Sequence, residues 1–419
     1  MANNVIALGS TVVFARLLGD DYGSLAALVS YFLILAVAGY AMQVATAREA
    51  VLGHLGVGPG LAATARSWTR SILIFTLVMS VLSVLFRQPI ADAVGVKDEA
   101  WAAALGIPAG CLYLLLTILR GVLQGTGDYR TVGISLIGEQ TVRLIVGAIL
   151  ALAGLGVTGA YLGTPLSFVA MSLYCMFMIH REIGVPIPGQ GAALSLWLHV
   201  KRAWAPIAAL AIIAVLQNID IIAAKHRFPK DLASSYSATA VAAKVVIWVA
   251  MGAGFYLVPE VSRRRAAGED TRPVLARALL IIAVVAVPCL LIFAAVPHLL
   301  LELAFGKGRA TASDSLFILG LAFTVLAATY LAIQYMLALK QFWFLVVLAA
   351  VAVAEPVFLL NASQKPAGFA AVVLGIQAAS ALLAFGIALR RRGPPPDRAG
   401  GLPPDAGEAE AEAATPELV

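Results

Sequence analysis

Long apolar runs separated by short polar links fill the chain from its start to about residue 389. About 20 consecutive apolar residues cross a hydrocarbon layer ~30 Å thick as a helix. On that measure about twelve spans are predicted, at approximately 2–18, 23–44, 68–86, 101–124, 131–153, 157–179, 204–224, 233–258, 274–297, 313–338, 341–361 and 366–389. This is the pattern of an all-α membrane protein. Beyond Arg392 it stops. The stretch GPPPDRAGGLPPDAGEAEAEAATPELV is rich in Pro, Gly and acid, cannot bury a core, and is expected to be a disordered tail over 393–419.

The runs echo one another at half the chain length. Ala15-Arg16, then Asp20-Asp21-Tyr22-Gly23-Ser24, closes the first span and opens the second. Ala224-Lys225, then Lys230-Asp231 and Ser234-Ser235-Tyr236, does the same between the seventh and eighth. Leu119-Arg120-Gly121-Val122-Leu123-Gln124 and Ile333-Gln334-Tyr335-Met336-Leu337-Ala338 end the fourth and tenth spans. Six helices separate each pair, so the halves have the same orientation. Two six-helix lobes with a central cleft follow: 1–180, a cytoplasmic linker at 181–203, and 204–392.

Charge orients this arrangement. The chain is 61% hydrophobic and 12% charged, against about 25% charged in soluble proteins. Alternating the links by side places about 17 Lys and Arg on one side, Arg120 among them, and about 9 on the other. The richer side is expected to be cytoplasmic, with both termini there. The net charge of +6 thus reads as membrane topology and not as nucleic-acid binding. Cys111, Cys175 and Cys289 lie inside apolar runs and suggest neither disulfides nor a metal site. No cleavable signal peptide is expected, because the first run leads into Arg16-Leu17-Leu18-Gly19 without a charged start. No catalytic triad, carboxylate pair or phosphate-binding loop is visible, so no enzyme, cofactor or metal is expected.

The candidate chemistry is the set of polar residues inside spans. Lys244 lies roughly a dozen residues from either end of its run and cannot reach a headgroup. A central Lys or Asp costs roughly 2.5–3.5 kcal/mol to insert, so a wet cavity or a partner is expected. Asp220 can pair with Lys225, although a five-residue offset turns the two apart on a helix, or with the deeper Lys244 across the hairpin, and it reads either as a clamp between helices or as part of a site. Glu139 and Arg143, four apart, share a helix face and can pair. Alternatively, Arg143 grips a phosphate oxygen with its guanidinium fork. Gln43, Gln217 and Asn218 read first as interhelical hydrogen bonds. Glu355, before Pro356, reads as a hinge or a proton site. The basic stretch Glu260–Arg265 reads as a cytoplasmic loop that sets topology and touches anionic lipid.

Several of these residues sit in recognisable elements. Ala15-Arg16-Leu17-Leu18-Gly19-Asp20-Asp21-Tyr22-Gly23 resembles the ARLLGPEDYG element of prokaryotic polysaccharide flippases, members of the multidrug/oligosaccharidyl-lipid/polysaccharide exporter superfamily. Arg48-Glu49, Arg120-Gly121-Val122-Leu123-Gln124-Gly125, Asn218-Ile219-Asp220 and Ala243-Lys244-Val245-Val246 resemble further elements of that family, in the same order. Pro259-Glu260-Val261-Ser262-Arg263-Arg264 resembles another, with Glu260 at a basic position. The resemblance covers about residues 1–390. It implies alternating access, a lipid-linked oligosaccharide or polysaccharide precursor as cargo, and a bacterial inner-membrane location. Membrane lipids and a glycan polymerase or glycosyltransferases are the implied partners. It further implies that Arg143 and Lys244 line a cationic cavity for the substrate; by their polarity within spans, Asn218 and Gln43 are added as substrate-binding candidates, and Asp220, Glu139 and Glu355 as the cavity or ion-coupling acids. Two other functions remain open at this stage: a multidrug and toxin extrusion-type cation antiporter, and a non-transporting scaffold of a glycan-assembly complex.

Overall fold

A computed structural model describes residues 2–185, 192–306 and 308–390. The expected tail at 393–419 and residues 186–191 of the linker lie outside the described residues. Helices α1 (Ala2–Leu18) and α2 (Tyr22–Val51) are joined by one 3-10 turn, and α3 (Pro59–Leu85) follows. Two short helices, α4 (Arg87–Val94) and α5 (Ala100–Ala104), precede α6 (Gly106–Gly125). Next, α7 (Tyr129–Leu150) turns into α8 (Gly156–Glu182). A connecting helix α9 (Leu196–Arg202) leads to α10 (Trp204–Arg227), α11 (Lys230–Ala243) and α12 (Val245–Ala266). The chain continues as α13 (Arg272–Ala295), α14 (Pro297–Phe305), α15 (Leu316–Ala338), α16 (Phe344–Leu360) and α17 (Pro366–Arg390).

Among the described residues, nine continuous helical stretches are long and apolar enough to cross a membrane. Two of them, Ile6–Val51 and Tyr129–Glu182, each hold two span-length helices, and Phe344–Leu360 is a shorter apolar helix. The described residues thus supply twelve spans in an all-α, multi-pass membrane protein, as the hydrophobic pattern predicts. Gly154 marks one reversal: it takes a φ of 98°, where a Cβ would strain the chain, and turns α7 back along α8. The short helices α4, α5 and α14 are not visible in the hydrophobic pattern. The stretch Glu260–Arg265 is not a loop. It forms the last turns of α12, where Glu260 accepts hydrogen bonds from Arg263 and Arg264.

The two lobes repeat one packing scheme. In the first, α6 packs against α2, α3 and α8, α7 pairs with α8, and α1 lies on α7. In the second, α15 packs against α12, α13 and α17, α16 pairs with α17, and α10 lies on α16. Six helices therefore match six helices in order. The lobes meet mainly where α2 lies along α10 and α11.

Two features set how the lobes can move. At the end remote from α9, the links of one lobe are latched to the other. Arg309 Nη1 lies 2.9 Å from Asp20 Oδ1, and Lys230 is ion-paired with Asp21. Ser234 Oγ accepts from Gly23 N at 2.8 Å and donates to the Asp20 carbonyl at 2.5 Å. These are the two echoed sequence elements, brought face to face. At the α9 end, the linker is strapped to the first lobe. Trp68 Nε1 donates to the Leu194 carbonyl at 2.8 Å, and the buried His199 stacks on Trp68 and hydrogen-bonds Thr46 at 3.0 Å.

Candidate functional site

Residues of both lobes line a cavity of about 270 Å³. From the first lobe come Glu139, Gln140 and Arg143 on α7, with Tyr40 on α2 and Tyr113 on α6. From the second come Gln217 and Asn218 on α10, Lys244 between α11 and α12, and Trp248. The structure thus brings the predicted residues Arg143, Lys244, Asn218 and Glu139 to one place, although they lie on three segments of the chain.

Lys244 sits where two helices meet. The helix that the hydrophobic pattern draws as one span is interrupted at this residue, with α11 ending and α12 beginning on either side. Its Nζ lies 3.1 Å from Asp220 Oδ1 and 5.0 Å from the Phe323 ring. Asp220 is fully buried behind it, and its second oxygen accepts from Tyr236 Oη at 3.4 Å. The charge is therefore held on the cavity wall by an ion pair and an aromatic face.

Glu139 does not pair with Arg143. Its Oε2 lies 2.9 Å from Nη1 of Arg120 on α6, and Arg120 also donates to the Ser135 hydroxyl and carbonyl at 2.8 and 2.9 Å. Arg120 is fully buried, so it does not belong among the link charges that set orientation. Moving it leaves the excess of basic residues on the same side. Spacing alone puts Glu139 and Arg143 on one stripe of α7. It cannot show that a neighbouring helix offers the carboxylate a better partner.

Arg143 is left as a cation on the cavity wall with no hydrogen bond or ion pair to any described residue. Its backbone is nevertheless held tightly. A Cβ on Gly163 of α8 would lie 2.5 Å from the Arg143 carbonyl oxygen, so the two helices touch backbone to backbone at this level.

The remaining predicted site residues lie elsewhere. Gln43 is not on the cavity wall: its amide donates to Gln124 Oε1 at 3.0 Å and ties α2 to α6. Asn218 reaches the wall but turns its amide nitrogen onto the Ala214 carbonyl at 2.9 Å. Glu355 is fully buried within the second lobe, behind Asp220 and Lys244. Gln377 donates to one of its oxygens at 3.3 Å, and the other has no hydrogen-bond partner. Sequence reasoning missed the aromatic wall. Tyr40 stacks edge-on with Tyr113 at 5.3 Å, and Tyr113 joins Phe32 and Phe168 in one cluster. Tyr40 is 45% exposed, so this part of the wall is accessible. No group of three or more His, Cys, Asp or Glu among the described residues could hold a metal ion.

No protein-family model matches the sequence, and no curated protein is similar to it. Solved structures do share its fold. An inward-facing multidrug resistance MATE family transporter of the MOP superfamily superposes with a TM-score of 0.74 at 13% identity, covering 92% of this chain and 94% of that one. The lipid II flippase MurJ, in an inward closed conformation, gives 0.73 at 14% identity over 92% and 85%. An outward-facing MATE family transporter gives 0.52 at 14% identity over 93% and 91%.

Proposed function

We propose that the protein is a secondary flippase that carries a lipid-linked glycan precursor across the cytoplasmic membrane by alternating access of its two lobes. The observation that carries this reading is Arg143. Glu139 and Lys244 on the cavity wall each lie in an ion pair, whereas Arg143 lies in none and feels the Glu139 charge only at longer range. A guanidinium outside any ion pair on a cavity wall favours an anion, and its planar fork suits a phosphate. The Tyr40 and Tyr113 faces beside it suit sugar rings. Glycosyltransferases or a glycan polymerase would supply or consume such a cargo.

A cationic drug would meet repulsion instead. At ~5 Å and an effective dielectric constant of ~20, two like charges cost about 3 kcal/mol. A purely structural scaffold would need every buried charge to serve as a clamp. Lys244 fits that role and Arg143 does not. The latch at one end, and the closer match to the inward-facing neighbour than to the outward-facing one, support an inward-facing state. Of the three candidate coupling acids, Glu139 and Asp220 are held by cations. Glu355 keeps one oxygen free and is the acid best placed to exchange a proton or Na⁺.

The test is leaflet translocation of a fluorescent polyprenyl-diphosphate glycan in proteoliposomes. Arg143→Ala is expected to lower the rate by at least about tenfold, and Arg143→Lys by less. Wild-type protein that leaves this lipid in place while exporting a cationic dye would overturn the proposal.

A further inference from the structure

A second cavity, of about 170 Å³, lies away from the lobe interface between α3, α6 and α8. It opens at the end of the molecule where α3 begins and α6 and α8 finish, which is the end rich in Lys and Arg. Arg66 and His180 stand on its rim, both exposed, and neither has an ion pair or hydrogen bond to a described residue. Thr69 lines it too. On the same helix Thr64, Ser71, Thr76 and Ser80 turn their hydroxyls onto the carbonyl four residues earlier, whereas the Thr69 hydroxyl makes no such bond. The floor is apolar, with Ala65, Leu119, Met176 and Ile179, and no Asp or Glu lines it.

We propose that this pocket holds the phosphodiester headgroup of an anionic glycerophospholipid from the surrounding bilayer. A guanidinium, an imidazole and a free hydroxyl around an apolar floor match a single phosphate joined to a glycerol backbone. The helix surfaces below the rim supply a path for the acyl chains. Leu73 stands four residues beyond Thr69 on α3, and Phe177 three residues before His180 on α8, so both lie on the stripes that face the pocket. They are 46% and 61% exposed. A free phosphate ion would use the rim and leave this apolar path unfilled.

Native mass spectrometry of the full chain in detergent tests the assignment, with added phosphatidylglycerol or phosphatidylcholine as probes. One phosphatidylglycerol is expected to stay bound under activation that strips phosphatidylcholine. The double variant Arg66→Ala/His180→Gln should lower that retention by at least about fivefold, and Arg66→Lys by no more than about twofold. Arg277→Ala, an exposed basic residue on α13, the counterpart of α3 in the second lobe, should leave it unchanged. A second measurement needs no variant: hydrogen exchange in nanodiscs should show residues 176–184 more protected in phosphatidylglycerol than in phosphatidylcholine. Equal retention by the double variant, equal retention of phosphatidylcholine, displacement of the lipid by millimolar inorganic phosphate, or identical exchange in both nanodiscs would overturn the proposal.

Discussion

Removing one member of the Asp220–Lys244 pair should destabilise the protein more than removing both. Both groups are nearly buried, at 0% and 8% side-chain exposure, so a charge left behind by loss of its partner is poorly hydrated. Breaking a buried pair from one side costs roughly 3–5 kcal/mol, because a charge is left uncompensated. The two sides are not equivalent here. Asp220→Asn leaves Lys244 at the cavity edge, over the Phe323 ring, whose attraction is worth roughly 0.5–2 kcal/mol, so the lower end of the range, about 3 kcal/mol, is expected. Lys244→Met leaves Asp220 fully buried with only the long Tyr236 contact, so the upper end, about 5 kcal/mol, is expected. The double variant Asp220→Asn/Lys244→Met buries no charge and should fall within roughly 1–2 kcal/mol of wild type. Chemical unfolding in mixed micelles, followed by tryptophan fluorescence, gives the three values. Additive losses, with the double variant the least stable of the three, would refute the reasoning.

Gly163→Val should force α8 away from the Arg143 carbonyl, costing roughly 1–3 kcal/mol of stability and lowering transport more than a substitution on the outer face of α8 does. Reversing the latch with Arg309→Glu should open that end. Asp20 is 65% exposed, so the effect is modest, and a cysteine at Ala26 should react about threefold faster with an impermeant maleimide from that side; adding Asp20→Arg should restore the wild-type rate. The strap should respond to pH. Burial pushes His199 below its ordinary value near 6.5, against a smaller opposing pull from Glu49, so docking is complete above about 6.5 and weakens as pH falls below it. Hydrogen-exchange protection at residues 192–202, taken relative to the intrinsic rate at each pH, should fall between pH 7.5 and 5 in wild type, and a His199→Gln variant should lack that change.

The twelve spans and the two-lobe repeat were legible because lipid imposes a length and an apolarity on every crossing helix. The Lys244–Asp220 pair was legible for a related reason: a charge at that depth must find a partner, and only a few are within reach. Arg120 was misread because it lies five residues before the end of α6, where a cation is usually a topology signal. Its partner, Glu139, is on another helix, and sequence spacing exposes only partners along the same one. Gln43 was placed at the site for its polarity alone, which does not tell a helix tie from a ligand. The aromatic wall escaped notice because tyrosines in apolar runs are common, and only packing shows that Tyr40 and Tyr113 face the cavity. The short helices beside the links are too brief for apolar length to register.

The latch has a polarity that reaches beyond gating. In both of its ion pairs the carboxylate belongs to the first lobe and the cation to the second. The two halves resemble each other in packing but are not interchangeable. A chain severed between α8 and α9 would give fragments able to recognise one another, whereas two identical N-terminal fragments would oppose acid with acid. The sign of the charges at this seam thus marks which half is which.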